Sequence, residues 1–198
     1  MEIPQNQYDT LIPLLNARKS FAIFDRDKTY LQTEELPFFT HYDLLAARTF
    51  SSIPSIEFHF LWNKSNNDIL ALDGTRDAIF DNLDKLGIVL NEKTIVPYLK
   101  FVLDCVYTEK GSLRLTENVD EIQFSESPNQ DDWAFLGKTL RPASLTKNGD
   151  KFEIDCILIY GTEVYQTNIE LQENGIFDFV SETELRADMN CLRVIFLE

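Results

Sequence analysis

Two carboxylates stand two residues apart after an apolar run, in the segment FAIFDRDKTYL that covers residues 21–31. Carboxylates can attack phosphorus as nucleophiles, and they can donate and accept protons for a leaving group. The position of Asp25 and Asp27 at the end of an apolar run therefore suggests the nucleophile strand of a phosphatase. This hypothesis depends on what the rest of the chain supplies.

The segment resembles the Asp-x-Asp motif of the haloacid-dehalogenase-like phosphatases, in which a buried strand ends at the two carboxylates. The resemblance implies that Asp25 is the nucleophile and helps to hold Mg²⁺, and that Asp27 is the general acid and base. Thr29 would lie in the turn beyond. The family also needs a Lys and a second acidic motif, and the segment KNGDKFEID supplies candidates: Lys147, Gly149, Asp150 and Asp155.

The surroundings of the motif argue against this chemistry. The family's second acidic motif follows an apolar strand of a parallel sheet, whereas PASLTKNGD is a polar approach to a turn. Lys28 is a bulky cation at a position where the family usually has a small residue. The runs after residue 132 follow one another without the helices that a parallel sheet requires. A strand that ends in a charged, solvated turn explains the segment without catalysis.

The segment LDGTRDA offers a second, smaller site. Asp73 and Arg76 would stand together at the start of a helix, where backbone N–H groups can bind an anion. A plain helix cap at Thr75 explains the same residues. The segment lacks the Lys and the second Gly of a Walker-type loop, and the two histidines of the chain lack metal-site spacing. We therefore predict neither a cofactor nor a metal site.

Charge excludes one class of partner. The 198 residues include 33 acidic and 18 basic ones, so the net charge is −15. Such a surface repels nucleic acid and anionic lipid, and no apolar run is long enough to span a bilayer. The N-terminus has no secretory signal, which predicts a cytoplasmic protein with three reduced cysteines.

Hydrophobic spacing predicts a hairpin and two helices in the first half of the chain. Residues 56–62 and 68–73 flank the turn-forming NKSNN and predict two paired strands. A helix is predicted between a cap at Thr75 and a stop at Gly87. A second helix over residues 91–107 presents a wide apolar face and has Pro97 in its first turn or at a kink.

The second half is predicted to form strands joined by short turns. The runs cover residues 133–145, 151–160, 163–171, 176–180 and 191–198. Short connections require antiparallel pairing. We therefore predict an α+β fold in which two or more helices pack on a mainly antiparallel, curved meander sheet, with cystatin-like and nuclear-transport-factor-like folds as analogies. One domain is predicted over residues 1–198, with the acidic loop 118–131 as the place for any boundary.

Three longer segments carry a second resemblance: LALDGTRDAI, TIVPYLKFVLDCVYTEKGSLRL and LRPASLTKNGDKFEIDCILIYGTEVYQTNIELQENG. Together they resemble a group of uncharacterised bacterial proteins with an LDGT segment, a helix of the YLRFF type and a final Tyr-Gly hairpin. The likeness covers residues 70–175, approximately. It implies one folded unit across the acidic loop and supplies no functional residue, because no activity attaches to that group.

One predicted strand is apolar on both faces. In KFEIDCILIY, Ile157 and Ile159 continue the face that begins with Glu153 and Asp155, and Ile195 repeats the effect in the C-terminal run. At ~25 cal/mol per Å² such side chains represent several kcal/mol of hydrophobic free energy. We predict that this second face forms a homodimer contact or the wall of a ligand pocket. Coverage by the N-terminal 50 residues is the alternative.

Two hypotheses of function remain. We favour a non-catalytic domain that binds a protein partner, a second copy of itself or an apolar small molecule. The alternative is a Mg²⁺-dependent phosphatase that uses Asp25 and Asp27. Strand order separates the two, because a parallel sheet with residue 25 at a carboxyl strand end favours the enzyme and an antiparallel meander favours binding.

Overall fold

A computed structural model describes residues 1–20 and 22–192 of the chain. This part contains five α-helices and two open antiparallel sheets, so the predicted α+β class is confirmed. The chain divides into two compact units: Met1–Asp73 with Asp81–Val89, and Gly74–Phe80 with the residues from Leu90 onwards. The loop 118–131 lies inside the second unit. The single-domain organisation stays a prediction.

The first unit contains a four-stranded meander and, packed on it, the helix that follows the N-terminal segment. A 3₁₀ turn, Gln5–Gln7, leads into helix α1, Tyr8–Asn16. The strands are β1 (Thr29–Glu34), β2 (Asp43–Thr49), β3 (Ile56–Asn63) and β4 (Asp68–Ala71). They pair in sequence order and every pair is antiparallel, which confirms the predicted hairpin over residues 56–73.

One stripe of α1 and one face of the meander form the core of the first unit. The buried residues of α1 recur at helical spacing: Tyr8, Leu11, Ile12 and Leu15. Strand β1 buries every second residue, as a half-covered strand does. The backbone N–H of Leu31 donates to the hydroxyl oxygen of Tyr8 at 3.0 Å. Helix α1 is thus held to the sheet by packing and by this buried hydrogen bond.

The helix predicted between Thr75 and Gly87 is two separate turns. Helix α2, Asp77–Phe80, belongs to the second unit, and helix α3, Leu83–Leu86, belongs to the first. Gly87 ends α3 at a φ of +70°, where a side chain would also collide with Thr40 and His41. The predicted stop at Gly87 is therefore confirmed, and the prediction of one continuous helix was wrong.

Asp68, at the start of β4, links three parts of the first unit. Its carboxylate accepts a hydrogen bond from the Tyr42 hydroxyl at 2.5 Å and one from the Lys85 ammonium of α3 at 2.7 Å. The hydrogen bond from Lys85, followed by that from Tyr42, lowers the pKa of the Asp68 carboxyl. The ionised carboxylate therefore stabilises the attachment of α3.

The second unit contains the other sheet. Its helices beyond α2 are α4 (Ile95–Cys105) and α5 (Gln130–Thr139), and a 3₁₀ turn covers Val119–Glu121. Its strands are β5 (Tyr107–Thr108), β6 (Gly111–Leu115), β7 (Ser144–Asn148), β8 (Lys151–Tyr160), β9 (Glu163–Gln172) and β10 (Phe177–Arg186). The order is β10-β9-β8-β6-β5, and β7 pairs with the same edge of β8 as β6.

Several predictions for the second unit are confirmed. Helix α4 lies within the predicted range 91–107, and Pro97 is in its first turn, where its missing N–H breaks no helical hydrogen bond. Strands β8 and β9 match the predicted ranges within one residue.

No helix in the described residues combines the length and the apolar character that crossing a membrane requires.

The strand predicted over residues 133–145 was wrong. Helix α5 occupies Gln130–Thr139, and β7 begins only at Ser144. The side chain of Asn129 caps α5 by accepting the backbone N–H of Asp132 at 2.9 Å. Lys138 in the last turn also favours the helix, because its charge opposes the partial negative charge of the C-terminal end.

Helix α5 covers the face that was predicted to be free. Ile157 is 0% exposed and Ile159 is 4% exposed. They pack in one cluster with residues from the acidic loop, α5, β9 and the last described segment: Ile122, Leu136, Val164, Met189 and Cys191. The cover of Ile157 and Ile159 thus comes from residues of the second unit itself, and the prediction of a homodimer contact at these two residues is corrected. Ile195 and the rest of 193–198 lie outside the described residues.

We expect Leu136→Ala and Ile157→Ala each to lower the free energy of unfolding by about 2–5 kcal/mol, because each leaves a cavity in this cluster. Chemical denaturation measures the change. Lys138→Arg, on the exposed side of α5, keeps the charge in the last turn, is the control and should change stability by less than about 0.5 kcal/mol. A loss below about 1 kcal/mol in both core variants would show that α5 does not cover β8.

The lowered pKa of Asp68 predicts a pH-dependent stability. Asp68→Asn should destabilise the protein at neutral pH, and the difference from the wild type should shrink as the pH falls below the ordinary carboxyl value of 3.8. The sign follows because a lowered folded-state pKa stabilises the fold above the unfolded value and the benefit is lost on protonation. Denaturation at several pH values tests it, with the exposed Glu35→Gln as control.

Candidate functional site

The DRDK segment is an exposed turn that precedes a strand. Residues 25–28 are all exposed, and β1 begins at Thr29. The side chain of Asp25 accepts the backbone N–H of Asp27 at 2.9 Å, and the N–H of Asp25 donates to the Thr29 hydroxyl at 3.1 Å. These are the contacts of an Asp that closes its own turn.

The phosphatase arrangement is not formed around Asp25 and Asp27. Every pair in their sheet is antiparallel, and Asp25 lies before a strand rather than at its carboxyl end. The predicted second motif is engaged elsewhere in the second unit. There Lys147 pairs with Glu173 at 2.9 Å, and Asp155 pairs with Arg141 at 2.7 Å. The described residues contain no group of three or more potential ligands for a metal ion.

The predicted pair of Asp73 and Arg76 is divided between the two units. The Arg76 guanidinium lies over the Phe80 ring at 5.6 Å and is 4.0 Å from the Asp178 carboxylate. Helix α2, which follows Arg76, has four residues. So short a helix has only a weak dipole, and the predicted anion site therefore has no support in the second unit.

Ile159 borders a cavity, but that cavity is too small for an organic ligand. Its volume is about 10 Å³, and its lining includes Arg114, Glu121 and Cys191. A volume of this size holds one water molecule at most. The predicted ligand pocket at this face is therefore not formed by the described residues.

The structure leaves a different surface exposed, the outer edge of β10. This strand pairs with β9 on one side and ends the strand order of its sheet, so its other edge is unpaired within the described ranges. Residues 178–185 are all exposed, which means that both faces of the strand lack a cover. Neighbouring strands are half-buried or buried. We call Asp178–Leu185 the β10 edge.

The β10 edge combines apolar side chains with carboxylates. Phe179, Val180 and Leu185 are 39%, 66% and 37% exposed. The charged residues of the edge are Asp178, Glu182 and Glu184. Arg186, which follows them, is held by the buried carboxylate of Asp132 at 2.5 Å. The edge is therefore acidic.

Sequence reasoning missed half of this strand. The run 176–180 was predicted, but β10 continues to Arg186. The signal was present in SETELR, where Ser181, Thr183 and Leu185 alternate with charged residues at the period of a strand. Glutamate is less common in strands than elsewhere, so Glu182 and Glu184 argued against extending the predicted strand.

The turn geometry predicts how Asp25 variants behave. Asp25→Ala should lower the free energy of unfolding by about 0.5–1.5 kcal/mol, because the Asp27 N–H loses its acceptor, whereas Asp25→Asn retains an acceptor oxygen. Denaturation measures the stability of both variants.

With Mg²⁺ and an aryl phosphate we expect no hydrolysis by the wild type. Hydrolysis that disappears in Asp25→Asn would establish the phosphatase.

Comparison of the chain with protein-family models, with curated proteins and with solved structures finds no match. The resemblance to the uncharacterised bacterial group therefore stays a prediction. Function has to be inferred from the chemistry of the surfaces described here.

Proposed function

We propose that this chain is a non-catalytic binding protein whose β10 edge adds an extended segment of a basic protein partner to its sheet. The observation that carries the proposal is the exposure of residues 178–185 along a strand whose outer edge is unpaired in the part of the chain described. Strand addition is a common mode of peptide recognition, because the backbone groups of an edge strand supply the hydrogen bonds.

The geometry of β10 supports pairing along its middle. The strand has ten residues, more than most strands in globular proteins. Its register with β9 shifts between Phe179 and Ser181 and again between Glu184 and Arg186. Such irregularities twist a strand and limit pairing. The regular run Ser181–Glu184 between them is the segment that a partner strand would meet first.

Charge favours a basic partner over a second copy of the chain. An antiparallel pair of β10 strands would place carboxylates of the two edges close together, and like charges in cross-strand positions are destabilising. Each copy also carries a net charge of −15. Lysine or arginine side chains of a partner strand would face Glu182 and Glu184 favourably. The predicted homodimer is therefore the less favoured occupant.

Apolar contacts would supply part of the affinity. Phe179 packs edge-to-face on the buried Phe177 at a centroid distance of 6.1 Å, so its ring is held in place before a partner arrives. A rigid aromatic ring loses little conformational entropy on binding. A partner with alternating basic and branched apolar residues therefore fits the edge.

Two short synthetic peptides of equal length test the proposal, one with Lys alternating with Val and one with Glu alternating with Val. We expect calorimetry to detect binding of the Lys peptide, with affinity that falls as salt rises. Hydrogen exchange should slow in β10. In the variant Glu182→Lys with Glu184→Lys, affinity for the Lys peptide should fall about tenfold or more and the Glu peptide should bind instead.

The control has the same change of net charge at another place. Glu126→Lys with Asp150→Lys alters two exposed carboxylates of the second unit outside β10. This variant should retain the preference of the wild type. Equal losses in both variants, or slowed exchange in another strand, would contradict the proposal. A concentration-dependent dimer with slowed exchange in β10 would replace the basic partner by a second copy.

A further inference from the structure

A groove in the first unit is large enough for a small molecule. Its volume is about 540 Å³, within the range of ligand sites. The N-terminal segment, the start of α1 and the ends of β1 and β3 form its walls. Apolar walls come from Ile3, Pro4 and Leu11. The groove is formed by residues of the first unit and shares no residue with the β10 edge.

Two buried polar atoms belong to side chains that line this groove. The indole nitrogen Nε1 of Trp62 and the hydroxyl oxygen Oγ1 of Thr33 have no hydrogen-bond partner among the described residues. Each residue is 4% exposed. Three such atoms occur in the described part of the chain, and two of them are here. A buried donor without an acceptor is unfavourable, and a bound molecule or ion is one way in which a native protein satisfies such a group.

The surroundings of the two atoms favour a ligand with an acceptor oxygen. The indole N–H can only donate, and the hydroxyl can donate or accept. Lys64 also lines the groove, where its ammonium lies 5.9 Å from the centre of the Trp62 ring. The indole donor and the ammonium of Lys64 thus belong to two neighbouring side chains that line the groove.

We propose that this groove binds a small molecule with an apolar body and a carbonyl or carboxylate oxygen. The body would lie against Ile3 and Leu11, and the oxygen would accept the hydrogen bond of the Trp62 indole, with the Thr33 hydroxyl as a second partner. Lys64 adds attraction for a carboxylate, although its ion pair with Asp43 offsets part of its charge. This binding site is independent of the proposed strand addition.

Nuclear magnetic resonance of the two indole N–H groups tests the proposal directly. The chain has two tryptophans, and Trp133→Phe, at a half-exposed position, assigns the remaining signal to Trp62. The probes are acetophenone, benzoate and isopropylbenzene, which share a ring and a similar shape. Acetophenone or benzoate should move the Trp62 indole proton downfield in a saturable manner, because a hydrogen bond deshields it. Isopropylbenzene has no acceptor and should bind more weakly by about tenfold.

Two variants separate binding from folding. Thr33→Val removes the hydroxyl and retains the shape of the side chain, so the free protein should be as stable as the wild type or more stable. Trp62→Phe removes the indole N–H together with part of the ring volume, so it serves as the binding variant and not as a test of stability. Affinity for the acceptor probe, measured by calorimetry, should fall about tenfold in Trp62→Phe. Leu145→Ala, at a partly buried position in the second unit, is the binding control.

Each outcome decides the proposal. Tighter binding of benzoate assigns a carboxylate to the site, and tighter binding of acetophenone assigns a neutral carbonyl. Equal binding of isopropylbenzene, or no saturable shift of the Trp62 signal with either acceptor probe, would overturn the proposal. Destabilisation by Thr33→Val would also overturn it, since the hydroxyl would then have a partner in the free protein. If the Glu182→Lys and Glu184→Lys variant retains the shift of the Trp62 signal, binding in the groove does not depend on strand addition at the β10 edge.

Discussion

The second unit is organised around a strand, β8, that is buried on both faces. Cys156–Ile159 are four consecutive buried residues, and successive residues of a strand point to opposite faces. Both faces of the sheet therefore have to be covered at this strand. Helix α5, the acidic loop and the segment 189–191 cover the face that carries Ile157 and Ile159. Without that cover, large apolar side chains would stay in water.

The same demand explains where the second unit is open. β9 buries alternate residues, and β10 buries only Phe177 within its ten residues. The cover of the sheet thus does not extend to its last strand. An edge strand that is exposed on both faces is costly for a monomer, because it presents unpaired backbone groups to any other chain. Carboxylates on that edge restrict which chains can use it.

In the first unit, helix α1 completes the apolar core, but two buried polar atoms remain without a hydrogen-bond partner among the described residues. The core cluster joins α1 to the sheet through Leu11, Leu31 and Phe60. At the border of that cluster the Trp62 indole and the Thr33 hydroxyl are buried and have no hydrogen-bond partner among the described residues. Most buried polar groups in native proteins are paired, and this exception, in side chains that line a groove, is the basis of the proposed ligand site.

The DRDKT segment shows how local sequence can suggest chemistry that the fold does not support. Asp25 and Asp27 have the spacing of a phosphatase motif, and the same spacing also closes a turn through the Asp25 side chain. Which of the two occurs depends on the strands around it. An antiparallel meander puts Asp25 before β1, where no parallel neighbour can bring further acidic residues to it.

The sequence by itself determined the α+β class, the antiparallel pairing, the hairpins, the extent of β8 and β9 and the presence of α4. These follow from local hydrophobic period and turn residues, which act over a few positions. Only the tertiary structure decided the rest. The segment 133–139 has apolar residues that suit a strand or a helix. In the structure it is part of a helix, and that helix covers Ile157 and Ile159. The exposure of β10 and the unpartnered atoms of Trp62 and Thr33 depend on contacts between residues far apart in sequence, and no local pattern encodes the absence of a neighbour.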